Sequence, residues 1–309
     1  MKTSIKTKIL ILGNSSFVQR RILKSLKKIK NIEIILCSKS SRIDKKNLIF
    51  FNNYKKAIKS SPNIVYISLI NKLHYKYAKI ALENKCNVIV DKPITKNLLL
   101  SRKLIGIAKK NKLLLAEATL FNYHSVYKKV IKSLGGINNI SHIQSNFNIP
   151  IIKKIQNIRN RQDDALMDMS PYAAAIIRIF FKKKYQLDVN KITYKNTGYT
   201  KSFYVFCKNK KISYFGNFGT EKEYISEIKF FSNKKIASIN HQAFALPNNT
   251  SVPVSFKEKN KIKTVNFLKD DVIKNFFKEC LRAIKLKKYD MYYENLLIDS
   301  KIREELKLK

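Results

Sequence analysis

The stretch from Asn63 to Asn97, NIVYISLINKLHYKYAKIALENKCNVIVDKPITKN, constrains the fold of this chain more than any other. It opens with the apolar run Ile64 to Leu69, the pattern of a strand buried on both faces. Asn71 follows, and its side chain can accept from a free amide of a first helical turn, so a helix capped at Asn71 is predicted. Leu73, Tyr77, Ala81 and Leu82 then recur at helical spacing. A second buried strand, Asn87 to Val90, ends in Asp91-Lys92-Pro93. This is a strand–helix–strand unit with polar groups gathered at the strand ends, where open parallel sheets bind their ligands.

The residues before it extend the same pattern. Lys8 to Leu12 reads as a strand, and Gly13-Asn14-Ser15-Ser16-Phe17-Val18 leads into a helix expected over Gln19 to Lys30. That is the place of a glycine-rich turn whose amides hold a pyrophosphate, which makes Gly13, Ser15, Ser16 and Phe17 candidate contacts. Only Gly13 keeps the glycine pattern. Ser15 is small enough for close backbone approach; Val18 is bulkier and is expected to loosen helix–strand packing. A strand–turn–helix without ligand is the lesser alternative for this turn. The second strand, Asn31 to Cys37, ends in Ser38-Lys39-Ser40-Ser41-Arg42, with no carboxylate before Asp44. An NAD site would place an acid there; Ser38 and Lys39 suit the 2′-phosphate of NADP instead. A solvated loop in a lysine-rich chain reads the same way. Leu48 to Phe51, Tyr54 to Ser60, Ser101 to Asn111 and Leu113 to Ala116 continue as strand, helix, helix and strand.

Length and composition bound the function. A chain of 309 residues suggests two domains. No apolar run approaches the roughly 20 residues of a membrane span, and Met1 to Lys8 lacks a signal-peptide core. Cys37, Cys86, Cys207 and Cys280 form no C-x-x-C pair, which reads as free thiols in a reducing cytoplasm, with no metal site. The formal charge of +42 raises nucleic-acid binding. The lysines are spread along the chain, Asn and Ile are abundant too, and no recognition-helix, zinc-finger or RNP signature appears. The charge therefore reads as compositional bias that also suits an anionic small molecule.

The second half changes character. Val126 to Leu134 is an amphipathic helix ended by Gly135-Gly136, and Ile140 to Ile149 alternates as a strand. Alternating strands follow at Ile192 to Tyr199, Phe203 to Cys207, Lys211 to Gly216, Tyr224 to Phe231, Lys235 to His241, Ser251 to Phe256 and Lys261 to Phe267. Two helices, Asp270 to Leu286 and Asn295 to Leu306, close the chain. Within Ala165-Leu166-Met167-Asp168-Met169-Ser170-Pro171-Tyr172, Asp168 and Tyr172 are four apart and share a helix face. By itself Tyr172 also reads as a buried aromatic of the apolar helix Pro171 to Phe181.

Several of these motifs together resemble the Gfo/Idh/MocA oxidoreductases. Leu69-Ile70-Asn71-Lys72-Leu73-His74 resembles the family's T-P-N-x-x-H, and Asp91-Lys92-Pro93 its E-K-P, with Asp for Glu. Glu117 to His124 resembles the E-G-x-x-x-R-x-H crossover, with Asn122 for Arg; Asn157-Ile158-Arg159 resembles N-x-R. Ala165 to Tyr172 resembles A-L-x-D-x-G-x-H, with the Tyr for His of a subset that includes glucose–fructose oxidoreductase and nucleotide-sugar ketoreductases. The resemblance implies an N-terminal Rossmann domain over 1–121 and, over 122–309, an α+β domain on a large, predominantly antiparallel open sheet. It implies NADP or NAD as cofactor, with NADP preferred. It adds Ser68, Leu69, Asn71, His74, Asp91 and Lys92 to the cofactor contacts. It further implies a sugar or nucleotide-sugar substrate touched by Lys92, Tyr123, Arg159, Asp168 and Tyr172, and a homodimer or homotetramer. Lys92 would stabilise negative charge on a carbonyl oxygen and Tyr172, beside Asp168, would transfer the proton. The alternative is a catalytically silent relative that binds NAD(P) or a sugar and regulates a partner, to which the eroded glycine turn, Asp91 and Asn122 point.

Overall fold

The structure, a computed structural model, describes residues 6–39, 49–150, 164–181, 184–195 and 198–309. It divides into two compact units, Met1–Ala118 with Ile273–Ser300 and Thr119–Val272 with Lys301–Lys309. The expected boundary stood at 121/122, with both closing helices in the second domain; here Ile273–Ser300 groups with the first unit.

The first unit is built on six strands: β1 (Thr7–Leu12), β2 (Ile32–Cys37), β3 (Ile49–Phe51), β4 (Ile64–Ile67), β5 (Asn87–Asp91) and β6 (Leu115–Ala118). All pairs are parallel, in the order β3-β2-β1-β4-β5-β6. The Rossmann strand order reverses between β1 and β4, which opens a crevice at their carboxyl ends. Ile9 to Leu12, Ile64 to Ile67 and Val88 to Val90 are fully buried, as expected of strands covered on both faces.

After β1 the helix begins with a π-helical turn, Val18–Ile22, and continues as α1, Leu23–Leu26. It therefore stops short of the expected Lys30. Val18 is fully buried, so the packing expected to loosen around it closes over the side chain. α2 (Tyr54–Lys59) is capped by Asn53 and α4 (Leu98–Asn111) by Asn97, whose side chains accept from Lys56 and Leu100 amides at 3.1 and 3.0 Å. α3 (Asn71–Glu83) differs from expectation: Asn71 is its first helical residue, Ile70 stands at the N-cap, and no side chain caps it.

In the second unit a 3-10 turn (Phe121–Tyr123) leads to α5 (Ser125–Ser133). Gly135 and Gly136, at φ 84° and 99°, take the left-handed backbone that ends the helix. β7 (Ile140–Pro150) follows, then α6 (Ala165–Phe181), β8 (Gln186–Thr193), β9 (Thr200–Lys208), β10 (Ser213–Glu221), β11 (Ile225–Ser232), β12 (Ile236–Ile239), β13 (Val252–Glu258) and β14 (Lys261–Phe267). The sheet order is β14-β13-β12-β11-β7-β10-β9-β8, antiparallel throughout except for β7 beside β10. α6 lies on β9 and β10, burying Ala173 to Ile177. β8 precedes the strand expected at Ile192 to Tyr199. As an edge strand with one open face it carries Gln186, Asp188 and Asn190, and those polar residues mask it. The β9–β10 turn is held by Asn209, whose side chain accepts the amides of Lys211 and Ile212 at 2.9 and 3.0 Å.

The chain closes with α7 (Val272–Leu286) and α8 (Asp290–Leu308). Phe276, Phe277, Cys280 and Ala283 recur on the buried stripe of α7, and Phe277 meets the Tyr66 ring edge-on at 5.5 Å. Ser300 closes on Ser101 of α4 at 2.7 Å, which ties α8 to the first unit.

Candidate functional site

The carboxyl edge of the parallel sheet gathers Gly13, Ser38, Ser68 and Asp91-Lys92. Gly13 has φ 107°, and a Cβ there would lie 2.2 Å from the Ser68 carbonyl oxygen. Only glycine lets β1 turn this close to the end of β4. Ser15 Oγ accepts from the Val18 amide at 3.2 Å, so this serine caps the helix that follows. Among the described residues no acceptor is recorded for the amides of Asn14, Ser15, Ser16 and Phe17. Open amides at a helix N-terminus favour an anion, which fits the pyrophosphate of a dinucleotide.

At the end of β2, Ser38 is buried and its amide donates to Phe51. Lys39 is exposed, with Nζ 5.9 Å from the centre of the Tyr54 ring. The aromatic face holds a cation at the strand end where the adenosine ribose of a dinucleotide fold lies. Ser40, Ser41, Arg42 and Asp44 lie outside the described residues.

β4 and β5 end in a connected polar group. The Tyr66 hydroxyl donates to Asp91 Oδ1 and Ser68 Oγ donates to Asp91 Oδ2. Burial raises the Asp91 carboxyl above the usual range, opposed by these two hydrogen bonds and by the charges of His74 and Lys92. Burial likewise pushes the Tyr66 hydroxyl well up. His74 is 1% exposed and makes no surface for a cofactor; both its ring nitrogens face backbone carbonyls. Leu69 is half-buried and Asn71 exposed. Lys92 is half-buried between Asp91 and the cis-linked Pro93. Beyond it, Glu117 of β6 accepts the Ile94 amide at 2.8 Å.

In the second unit Asp168 and Tyr172 are both half-buried on α6. Tyr172 sits among Phe147 at 5.1 Å, Phe244 at 5.3 Å and Phe121 at 6.0 Å between ring centres. Ser226 Oγ accepts the Phe244 amide at 3.1 Å and holds that wall in place. Tyr123, half-buried, belongs to the same 3-10 turn as Phe121. Asn157 and Arg159 lie outside the described residues. The aromatic walls from β7 and the loop after β12 were not foreseen from sequence. Phe147 stands on a strand that reads as plain alternation.

The strand order, the glycine at the first turn and the open amides after it define a dinucleotide-binding α/β domain. Residues 8–119 match the family model described as "Oxidoreductase family, NAD-binding Rossmann fold", the Gfo/Idh/MocA family that the sequence motifs resemble. Curated relatives include dTDP-3,4-didehydro-2,6-dideoxy-alpha-D-glucose 3-reductase from Streptomyces violaceoruber, 33% identical over 113 residues, or 35% of this chain and 33% of that protein. The enzyme of the same name from Saccharopolyspora spinosa is 28% identical over 185 residues, 55% of this chain and 54% of that one. The matches thus span from a third to about half the length of these relatives. The crystal structure of KijD10, a 3-ketoreductase from Actinomadura kijaniata in complex with NADP and TDP-benzene, shares the fold. Its TM-score is 0.89 at 18% identity, over 98% of this chain and 97% of that one. No described helix is long and apolar enough to cross a membrane.

Proposed function

We propose that the chain is an NADP-dependent oxidoreductase that interconverts a carbonyl and a hydroxyl on a nucleotide-linked sugar. The observation that carries this reading is the glycine-governed turn at Gly13, with open amides beside it, set at the strand-order reversal of a Rossmann sheet. Bound there, NADPH supplies the hydride. Gly13, Ser15, Ser16 and Phe17 would hold the pyrophosphate, and Lys39, steadied on Tyr54, the 2′-phosphate. The nucleotide-sugar substrate class follows from the names of the relatives and from the ligand of the KijD10 complex.

In this reading Lys92 stabilises the negative charge that develops on the substrate oxygen, and Tyr172 gives that oxygen its proton. Asp168, one helical turn before Tyr172, orients the sugar. The aromatic walls around Tyr172 exclude water and pack against its ring. The test is NADPH consumption with a panel of dTDP- and UDP-linked keto sugars. Turnover on one of them, absent with the free sugar, supports the reading; NADP affinity without turnover on any supports a regulatory binding protein instead.

The same proposal includes self-association through the open face of the second sheet. By register, one row across that face reads Asp188–Phe206–Phe215–Gln144–Lys229 and the next Asn190–Tyr204–Asn217–Asn146–Glu227. Phe206 and Phe215 are 38% and 37% exposed. Acids outnumber bases in these rows, whereas the whole chain has 63 basic to 21 acidic residues. In so cationic a chain, a near-neutral aromatic face is where a second copy can dock with least repulsion. Phe215→Glu is expected to lower the mass measured by light scattering to that of a single chain. A wild type that is already monomeric at high concentration refutes this part.

A further inference from the structure

Between β12 and β13 the segment 242–246 has no strand or helix of its own, yet hydrogen bonds from two other elements hold it. The hydroxyl of Tyr127, on α5, donates to the Ala243 carbonyl oxygen at 2.5 Å. On the other side stands Ser226 of β11. Its carbonyl oxygen accepts the Ala243 amide at 3.0 Å and its Oγ accepts the Phe244 amide at 3.1 Å. Gln242 takes the left-handed backbone at φ 51°, and its carbonyl accepts the Ala245 amide at 2.8 Å. Connecting segments usually run exposed over a surface, but Ala243, Phe244 and Leu246 are buried.

The segment presents Phe244 to the ring of Tyr172, 5.3 Å away and edge-on. Phe244 also stacks on Phe147 at 5.0 Å and meets Phe121 edge-on at 5.3 Å. Tyr127 packs edge-on against Phe121 at 5.5 Å, and Phe121 lies 6.0 Å from Tyr172. Tyr127 thus holds two rings that pack on Tyr172: Phe121 through its own ring, and Phe244 through its hydroxyl. For packing alone a phenylalanine would serve at 127, since a buried hydroxyl is costly without a partner. Here the partner is the backbone of the segment that carries Phe244.

We propose that Tyr127 and Ser226 are positioning residues that latch the segment 242–246, so that Phe244 sets the plane of the Tyr172 ring. The part this plays in turnover rests on the function proposed above; the latch itself does not.

The latch is read by hydrogen exchange at the Phe244 amide of the full chain. Exchange about fivefold or more faster than in wild type is expected in Tyr127→Phe and in Ser226→Ala, the scale of one neutral hydrogen bond. Unchanged exchange in Tyr127→Phe overturns the latch. Should Ser226→Ala not fold, Tyr127→Phe, which keeps the ring on Phe121, decides alone. The positioning role is read by a double-mutant cycle on the substrate found in the panel. Tyr127→Phe is expected to lower kcat about fivefold or more, with KM and NADP affinity near wild type. In a Tyr172→Phe background the same substitution is expected to cost no further kcat, because it acts through that phenol. An equal loss in both backgrounds, or a lowered melting temperature with kcat unchanged, overturns the positioning role and leaves Tyr127 a support of the fold. A wild type that turns over no substrate sinks the proposed function and the role in turnover with it, while hydrogen exchange still decides the latch.

Discussion

A carboxylate one methylene shorter than glutamate ends β5, and the fold meets it with Tyr66. This tyrosine stands in an otherwise aliphatic strand and is fully buried, which only a hydroxyl with a partner makes tolerable. In the sequence Tyr66 reads as one more apolar residue of a buried run; its role depends on a carboxylate on the neighbouring strand, a pairing no local pattern reveals. Lys39 is similar: the sequence places a cation at the end of β2, but the Tyr54 ring beneath it comes from α2. Lys39→Ala is expected to weaken NADP binding by about tenfold, in line with the roughly 0.5–2 kcal/mol of such cationic contacts plus a lost phosphate partner, and to leave NAD unchanged. Titration of both cofactors by nicotinamide fluorescence checks this, and equal losses for the two would place Lys39 away from the 2′-phosphate.

At the scale of elements, the strand–turn–helix after β1 depends on Gly13. Gly13→Ala forces an unfavourable φ and drives a Cβ into the Ser68 carbonyl, so the turn must shift away from β4. A stability loss of more than about 1 kcal/mol in urea unfolding is expected, with NADP affinity lost alongside it. Ser15→Gly, by contrast, removes only a cap. The parallel sheet was legible because β1, β4 and β5 are buried on both faces and read as unbroken apolar runs. The antiparallel sheet was legible where strands alternate, as in β14, which spans the expected Lys261 to Phe267. It was not legible at β8, whose open face is polar. Helix ends were harder again. Lys27 to Lys30 continue the helical pattern yet leave the helix, and Asn71 has the chemistry of a cap yet enters the first turn. Of the candidate site, the motif residues Lys92, Asp168 and Tyr172 were visible in sequence. The aromatic walls around Tyr172 were not, because they come from β7 and from the loop after β12, far apart in the chain.

At the scale of the whole molecule, all four cysteines are buried. Burial pushes the thiols of Cys37 and Cys207 up to about 12 and that of Cys86 to about 11, from 9.0. These groups cost nothing below pH 9.0, where folded and unfolded forms alike keep their protons. Above it the unfolded chain ionises and the folded one does not, so stability falls as pH rises toward those raised values. Urea midpoints measured from neutral pH upward are expected to hold and then decline, and thiol reagents to react only as the chain unfolds; early labelling of the native protein would contradict this. The central claim concerns the phenol on α6, and it is tested most directly by Tyr172→Phe. The substitution deletes one hydroxyl and keeps the ring that packs on Phe147 and Phe244. With the nucleotide-sugar substrate identified in the panel, turnover is expected to fall by about 10²–10⁴-fold while NADP affinity and melting temperature stay at wild-type values. Near-normal turnover in Tyr172→Phe would contradict the account and return this tyrosine to the aromatic packing of α6.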